Sequence, residues 1–340
     1  MKKVVTFYEI MMRLSPPGYK RFSQAESFDV VYGGGEANVA ISLANYGLDA
    51  YFVTKLPCHE IGESAINTLR KCGVGTDYIS RGGERLGIYF LEHGASQRPS
   101  KVVYDRTNSS ISQATYSDFD WDEIFRNAEW FHFTGITPAL GDRTADLTLE
   151  ALKAAKAHGV TVSVDLNYRQ KLWTPEQAQR VMSRLMEYVD VSIGNEEDAE
   201  KIFGIKATES NVTAGHLNED GYREVAEKLV ERFGVKKVAI TLRESLSASE
   251  NKWSALLYNT THFYRSKTYH MHIVDRVGGG DSFAGGLIYG LIGGKPDKEA
   301  LEFAVAASCL KHSVFGDYNL VSVDEVERLV QGDASGRVQR

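Results

Sequence analysis

The sequence is poor in features that mark several large classes of protein. Its cysteines are few and odd in number and form no Cys-x-x-Cys motif, which predicts free thiols in a reducing compartment. They are Cys58, Cys72 and Cys309. It has no excess of positive charge, because 45 acidic residues outnumber 39 lysines and arginines and leave a net charge of −6. This balance argues against a nucleic-acid or anionic-membrane surface and favours small molecules or further copies of the chain as partners.

Long apolar runs are also missing. The first apolar run, behind Lys2 and Lys3, is short and is interrupted by Glu9, so it does not match a signal peptide. No stretch approaches the length that spans a bilayer. We therefore expect a cytoplasmic protein without a membrane partner.

Two nucleotide-binding signatures are absent as well. The sequence has no Gly-x-x-x-x-Gly-Lys-Ser/Thr phosphate loop. The glycines at 33 and 35 fail the fingerprint Gly-x-Gly-x-x-Gly because its third position is Asn38, and those at 278 and 280 fail it because that position is Phe283. These absences disfavour a nicotinamide-dependent dehydrogenase.

The most informative segment that is present covers residues 275–287. Three glycines follow a β-branched run, and small and apolar residues with helical spacing come after Asp281, which predicts a strand, a tight loop and a helix. Bare N–H groups at a helix start bind anions, and the helix start is expected to keep Asp281 ionised. A carboxylate beside such a loop suits phosphoryl transfer, in which it accepts the proton of an attacking hydroxyl. A plain packing turn explains the glycines equally simply.

A second glycine loop, residues 33–35, lies between a predicted strand (28–32) and a predicted helix (36–46). It places backbone amides together with Glu36 and Asn38 at the start of a helix. These groups can bind the hydroxyls of a polyol.

Predicted strands and helices alternate over most of the chain, which implies an α/β fold with a central, mostly parallel sheet flanked by helices. They are 3–10, 50–54, 61–72, 130–134, 143–158, 161–166, 175–188, 189–193, 221–233 and 237–242. The β-rich runs 87–91 and 101–106 have no helix between them. Residues 11–32 and 84–110 are therefore expected to form a small β lid, and residues 1–10, 33–83 and 111–340 the α/β domain.

Four further polar residues lie at predicted strand ends or in the lid. Asn195 and Asp198 follow a strand and can steer a hydrated Mg²⁺ beside phosphates, although a helix cap explains Asn195 equally well. Arg106 and Arg169 have the geometry to bind a carboxylate or phosphate, and each is also typical of a surface ion pair.

Four segments, in order and over nearly the whole chain, resemble the ribokinase-like sugar kinases. They are 33–40 (Gly-Gly-Gly-Glu-Ala-Asn-Val-Ala), 165–173, 195–198 and 277–283 (Val-Gly-Gly-Gly-Asp-Ser-Phe). Residues 11–35, from Met11 through the first glycine loop, and residues 311–319 are similar to the 2-dehydro-3-deoxygluconate kinases of that family. The resemblance implies a ribokinase-like fold, a β lid that often forms a homodimer contact, and Mg²⁺-assisted transfer of a phosphoryl group from ATP to the 6-hydroxyl of this sugar acid.

The resemblance also implies roles for individual residues. Asp281 is the base, and the anion hole consists of Gly278, Gly279 and Gly280. The sugar acid is bound by Gly33, Gly34, Gly35, Asn38, Tyr89, Tyr104, Arg106, Arg169 and Asp317. The nucleotide is bound by Asn167, Asn195, Gly278 and Gly280. No direct metal ligand is expected, and Asn195 and Asp198 reach Mg²⁺ through water.

Two departures from the family pattern leave alternatives open. No glycine occurs between Gly234 and Gly278, where related kinases have glycines for the nucleotide phosphates. Nucleotide binding there must use side chains, for which the candidates are Thr241, Arg243 and Ser245. Asp198 also stands where the wider family often has glutamate. A fructokinase or ribokinase acting on a neutral sugar, and a non-catalytic sugar-binding protein, are the alternatives.

Overall fold

The chain forms one large and one small β-sheet, and the computed structural model describes residues 1–207 and 219–333. The strands are β1 (Lys3–Phe7), β2 (Met11–Ser15), β3 (Asp29–Gly33), β4 (Asp49–Leu56), β5 (Ile79–Arg81), β6 (Gly87–Glu92), β7 (Lys101–Asp105), β8 (Ala128–Thr134), β9 (Thr161–Asp165), β10 (Val191–Asn195), β11 (Lys237–Ser245), β12 (Glu250–Tyr258), β13 (Phe263–Arg265) and β14 (Tyr269–His272). The helices are α1 (Gly35–Asn45), α2 (Glu60–Lys71), α3 (Trp121–Phe125), α4 (Ile136–Ala139), α5 (Asp142–Ala157), α6 (Pro175–Met186), α7 (Glu196–Phe203), α8 (Glu219–Phe233), α9 (Gly279–Ile292), α10 (Asp297–Lys311) and α11 (Val323–Gln331).

The large sheet has the strand order β13-β12-β11-β10-β9-β8-β1-β4-β5, and β14 also pairs with β12. All pairs from β11 to β5 are parallel, whereas β12 pairs with β11, β13 and β14 in the antiparallel sense. The predicted mostly parallel sheet flanked by helices is confirmed. The carboxyl ends of the parallel strands meet at one edge, where ligands bind in such folds.

The core lies on both faces of the large sheet because side chains alternate along each strand. On β8, Phe131 and Phe133 pack with α5 residues such as Leu152 on one face. Trp130 points to the opposite face and shares a cluster with Phe283 of α9. Burial of each such side chain contributes about 1.5–3 kcal/mol, so the start of α9 is held firmly against the sheet. No helix within residues 1–207 and 219–333 is long and apolar enough to cross a membrane.

The small sheet has the order β3-β2-β6-β7. The outer pairs β2·β3 and β6·β7 are antiparallel, and the central pair β2·β6 is parallel. Strands β6 and β7 lie within residues 84–110, and β2 and β3 lie within residues 11–33, one residue beyond the expected segment 11–32.

Two predicted strands differ from the structure. The strand predicted over residues 3–10 is shorter in the structure, because β1 ends at Phe7, and the next strand, β2, begins at Met11 in the other sheet. The strand predicted over 237–242 continues to Ser245, because it pairs along its whole length with β12. A long-range partner such as β12 extends a strand beyond the point at which local propensity suggests a loop.

Candidate functional site

The two glycine loops meet around Asp317, which follows α10 and is buried. A Cβ atom at Gly33 would overlap the Asp317 carboxylate, and one at Gly278 would overlap its backbone oxygen. Gly278 also has φ +80°, which favours glycine. These clashes explain why both positions hold glycine, and they show that loops far apart in sequence form one site.

Asp281 lies in the first turn of α9 and faces the other glycine loop. Asn38 donates a hydrogen bond from Nδ2 to Asp281 Oδ2 at 2.7 Å. A Cβ atom at Gly35 would lie 3.7 Å from Asp281 Oδ1. The carboxylate therefore stands between the loop at 33–35 and the loop at 278–280.

Burial raises the pKa of Asp281 to about 6. The hydrogen bond from Asn38 lowers this pKa, the negative charge of Asp317 raises it, and the positive charges of Arg169 and Lys311 lower it. The helix start was expected to keep Asp281 ionised, but desolvation outweighs its effect on this pKa. The group remains mainly ionised above about pH 7, because that lies a unit above its pKa.

The small sheet contributes one row of side chains to the site. Its register places Arg13 opposite Tyr89 and Tyr89 opposite Tyr104. The Tyr89 hydroxyl donates a hydrogen bond to Asp317 Oδ2. The rings of Tyr89 and Tyr104 lie 6.0 Å apart, and Tyr104 is partly exposed. The predicted tyrosines therefore lie together beside Asp317.

Arg106 follows β7 and is buried between aromatic rings. Its guanidinium carbon lies 5.6 Å from the ring centre of Tyr8 and 5.5 Å from that of Tyr104. Nη2 lies 2.5 Å from Glu9 Oε2 in an ion pair, but neither Nη2 nor Nε has a hydrogen-bond partner among the described residues. Burial, with a smaller effect of Arg169, lowers the pKa of Arg106 to about 10, so it is charged at neutral pH. An unpartnered buried donor favours an anionic ligand at this position.

Arg169 approaches the same space from the loop after β9. Its side chain is exposed, and Nη1 donates to the Tyr168 carbonyl at 3.4 Å. Its charge lowers the pKa of Asp281 and of Arg106. Asn167 in this loop has φ +40°, a left-handed conformation that asparagine tolerates. The charge of Arg169 therefore influences both Arg106 and the carboxylate of Asp281, although the three residues come from different elements.

Asn195 and Asp198 cap the start of α7. Asn195 Oδ1 accepts hydrogen bonds from the backbone N–H groups of Glu197 at 2.8 Å and Asp198 at 3.0 Å. Asp198 accepts from Asn195 N and from Tyr168 N, each at 3.0 Å. The helix-cap interpretation of Asn195 is confirmed. Across residues 1–207 and 219–333, no cluster of three or more His, Cys, Asp or Glu is arranged to hold a metal.

The candidates Arg243 and Ser245 lie in β11 rather than in the predicted loop, and Thr241 lies in the part of this strand that was predicted. Arg243 pairs with Trp253 and Ser245 with Asn251 across the β11·β12 hairpin. Thr241 donates from Oγ1 to the Gly194 carbonyl at 3.4 Å.

Glu36 also differs from expectation, because it faces the protein interior rather than a ligand. Its Oε1 accepts from Thr134 N at 2.8 Å and from Thr137 Oγ1 at 3.0 Å.

Sequence reasoning missed three buried charged residues behind the loop at 278–280, namely Arg13, Asp275 and Lys311. Arg13 on β2 contacts Asp275 and Asp317. Lys311 donates from Nζ to the carbonyls of Gly316 at 2.7 Å and Asp275 at 3.2 Å. One signal was available: Arg13 lies midway between Met11 and Ser15, so the alternation of β2 places its charge on their buried face.

Known proteins are similar to this chain over nearly its whole length. A family model described as pfkB family carbohydrate kinase matches residues 1–323. The chain belongs to the pfkB family of carbohydrate kinases. It is similar to the crystal structure of 2-dehydro-3-deoxygluconokinase from Thermotoga maritima, with 56% identity, a TM-score of 0.94, and coverage of 97% of this chain and 98% of the other.

Two further matches extend the comparison. A 2-dehydro-3-deoxygalactonokinase of Haloferax volcanii is 32% identical over 98% of each chain. Fructokinase with bound ATP from Xylella fastidiosa shares the fold, with 21% identity, a TM-score of 0.74, and coverage of 97% of this chain and 98% of the other. The resemblance to ribokinase-like sugar kinases and the prediction of a carbohydrate kinase are confirmed.

Proposed function

We propose that this pfkB kinase transfers the γ-phosphoryl group of ATP to the 6-hydroxyl of 2-dehydro-3-deoxygluconate, giving 2-dehydro-3-deoxy-6-phosphogluconate. The observation that carries the proposal is the position of Asp281 between two glycine loops, with Arg106 and Arg169 acting on the same pocket. Asp281 accepts the hydroxyl proton, and backbone N–H groups of residues 278–280 bind the phosphoryl oxygens. The arginines bind the sugar carboxylate. The name of the 56% identical neighbour supports the same substrate.

The experiment that tests this function measures ADP release from ATP and Mg²⁺ with a panel of sugars. The panel contains 2-dehydro-3-deoxygluconate, 2-dehydro-3-deoxygalactonate, gluconate, fructose and ribose. The galacto acid is the second candidate, because the Haloferax relative carries that name. Preference for fructose or ribose would retain the base and discard the carboxylate argument. Absence of turnover on every sugar would favour a non-catalytic sugar-binding protein.

For the nucleotide, we propose that positive side chains take the place of the missing glycines. Burial and the nearby charge of Arg243 lower the pKa of Arg276, which precedes the loop at 278–280 by two residues. Two arginines this close favour an anion between them. ATP phosphates at this edge would also contact the N–H groups at the start of α9, whose Gly280 is exposed.

A hydrated Mg²⁺ fits the carboxylates beside this position. Burial and the negative charges of Asp198 and Asp281 raise the pKa of Asp165, so an added positive charge is favourable there. Asp198 already accepts two backbone hydrogen bonds, which suits contact through water rather than direct ligation. We propose that Asn195 and Asp198 hold the ion through its waters. When bound, the ion neutralises phosphate charge.

The pH dependence of turnover should follow Asp281. A base must be ionised to accept a proton, so kcat/KM is expected to rise through about pH 6 and to level off above about pH 7. Asn38→Ala removes a donor to the ionised carboxylate and should move this rise to higher pH, because the pKa of Asp281 increases. The measurement is kcat/KM for the sugar from pH 5 to 9. A profile that is already level at pH 5 would contradict the assignment, because the rise would then lie near the ordinary aspartate pKa.

Arg169→Met should lower kcat/KM for 2-dehydro-3-deoxygluconate by roughly 10- to 100-fold, since a hydrogen bond to a charged group contributes about 1.5–3 kcal/mol. Arg106 is less suitable for this test, because its removal would also leave the buried carboxyl group of Glu9 without its ion-pair partner. Arg169 is exposed, so its loss should hardly change the melting temperature. Lys171→Met, an exposed cation two residues away, is the matched control. Equal losses in the two variants would contradict a specific role for Arg169.

We further propose that the small sheet, within residues 11–32 and 84–110, closes over the site as a lid and joins two copies of the chain. On the face opposite Arg13, its register aligns Val30, Leu14, Phe90 and Val103 in one apolar row. Val30 and Val103 are each more than half exposed, which favours a partner. Light scattering should give a dimeric mass, and a monomeric mass would overturn this.

We place the protein in the cytoplasm, in keeping with its free cysteines.

A further inference from the structure

Arg13 is a buried cation that the proposed chemistry does not use. Its side chain is 2% exposed. Nη1 lies 2.6 Å from Asp317 Oδ1 and Nη2 lies 2.7 Å from Asp275 Oδ2. Nε donates to Ser15 Oγ at 2.9 Å, and Nη2 also lies 2.9 Å from His93 Nε2. Every nitrogen of the guanidinium is therefore held in one orientation by a neighbour.

Two partners of Arg13, Asp275 and Asp317, connect it to the two glycine loops. Asp275 precedes Gly278 by three residues, and its Oδ1 accepts from the backbone N–H of Val277 at 3.1 Å. Its Oδ2 accepts from Gly316 N at 3.1 Å, next to Asp317. Asp317 itself touches both loops, because its carboxylate fills the Cβ position of Gly33 and its carbonyl fills that of Gly278. A displacement of Arg13 would therefore be transmitted to both loops.

We propose that Arg13 is a positioning residue that fixes the sugar-binding loop at 33–35 relative to the phosphoryl-binding loop at 278–280. This inference rests on the proposed function. Arg13 is on the small sheet, whereas Asp275 and Asp317 are on the α/β domain. Its guanidinium group therefore joins the small sheet to the α/β domain at the point where sugar and phosphate must meet. A planar guanidinium can hold two carboxylates in a fixed relative position, which a lysine ammonium cannot.

The consequence is a coupling between sugar position and phosphoryl transfer. When the loops at 33–35 and 278–280 keep their relative position, the sugar hydroxyl lies where it can attack the phosphorus. When this relative position is lost, water can attack instead and give ADP and inorganic phosphate without sugar phosphate. The share of ATP turnover that yields sugar phosphate therefore reports on the relative position of the two loops. A residue that only stabilises the fold would not change this share.

The test compares Arg13→Lys with the wild type and with Arg98→Lys. Arg98 forms an ion pair with Glu92 of β6 at 3.0 Å, so it controls for the same substitution beside the same sheet. Arg13→Lys is expected to lower kcat/KM for the sugar by about 10- to 100-fold, the range for a misplaced reacting group. The share of ADP matched by sugar phosphate should fall below that of the wild type. Arg98→Lys should retain wild-type values.

Each outcome decides the proposal. Wild-type coupling in Arg13→Lys, or an equal loss in Arg98→Lys, would overturn it. If Arg13→Lys does not fold, Ser15→Ala decides, because it removes one contact of Nε and should lower the coupling in the same direction by a smaller factor. Wild-type coupling in Ser15→Ala would then overturn the proposal. If the wild type phosphorylates no sugar, the proposed function fails instead, and that result is separate.

Discussion

Asp281→Asn is expected to lower kcat by about 10² to 10⁴, the range that general-base assistance contributes, while fold and sugar binding remain. The two side chains have nearly the same shape, and the asparagine Oδ1 can still accept the hydrogen bond from Asn38. Burial raises the pKa of Asp281 to about 6, so above that pH the ionised group disfavours the folded state. The neutral amide removes this cost, and the melting temperature should not fall. Stopped turnover assays, calorimetric sugar titration and thermal unfolding measure the three quantities.

Asp297→Asn is the matched control for this variant. Asp297 lies in the first turn of α10, as Asp281 lies in that of α9. Its Oδ1 lies 2.6 Å from Lys237 Nζ, and its Oδ2 accepts from Asn259 Nδ2 at 2.6 Å. Loss of this ion pair should lower the melting temperature and leave kcat close to the wild type. Near-normal turnover of Asp281→Asn would contradict the assignment of Asp281 as the base.

The sequence predicted the elements of the site better than their connections. The loops at 33–35 and 278–280 were visible because consecutive glycines before a helical pattern are a local signal. Their meeting at Asp317 was not visible, because it depends on contacts between residues nearly 300 positions apart. Periodicity describes one segment at a time and does not specify which segments pack together.

The same limit explains the extended β11 and the internal Glu36. Residues 243–245 were expected in a loop because the family pattern has a loop after the strand at 237–242, but the hairpin with β12 supplies backbone hydrogen bonds and keeps them extended. Glu36 was expected to face a ligand because it starts a helix, but the end of β8 supplies the Thr134 N–H. A partner from a distant element decides the environment of a residue in both cases.

The pKa of Asp281 illustrates a further limit. The helix start is a local feature and favours the ionised form. Desolvation by the surrounding loops raises the pKa and is the largest effect. The balance depends on how deeply the packed loops bury the carboxylate, which no short segment of sequence contains.

Gly278→Ala should have the second large effect, because it changes the anion hole without altering any charge. The alanine Cβ would occupy the position of the Asp317 carbonyl oxygen, and φ +80° is unfavourable for alanine as well. Asp317 must move, and its carboxylate lies against Gly33, so the sugar loop should move with it. Loss of one correctly placed donor to a developing anion costs about 10² to 10³ in rate. We expect kcat/KM to fall by at least about this factor.

Gly294→Ala is the matched control for Gly278→Ala, because it introduces the backbone strain of a positive φ without a steric clash. Gly294 follows the other end of α9 with φ +78°, and no described atom lies within 4 Å of its Cβ position. Its substitution should cost about 1–2 kcal/mol of stability from the left-handed conformation alone and leave kcat/KM unchanged. Thermal unfolding and sugar phosphorylation of both variants give the comparison. Equal activity in the two would mean that the loop at 278–280 tolerates displacement, and the three glycines would then be explained as a packing turn rather than as an anion hole.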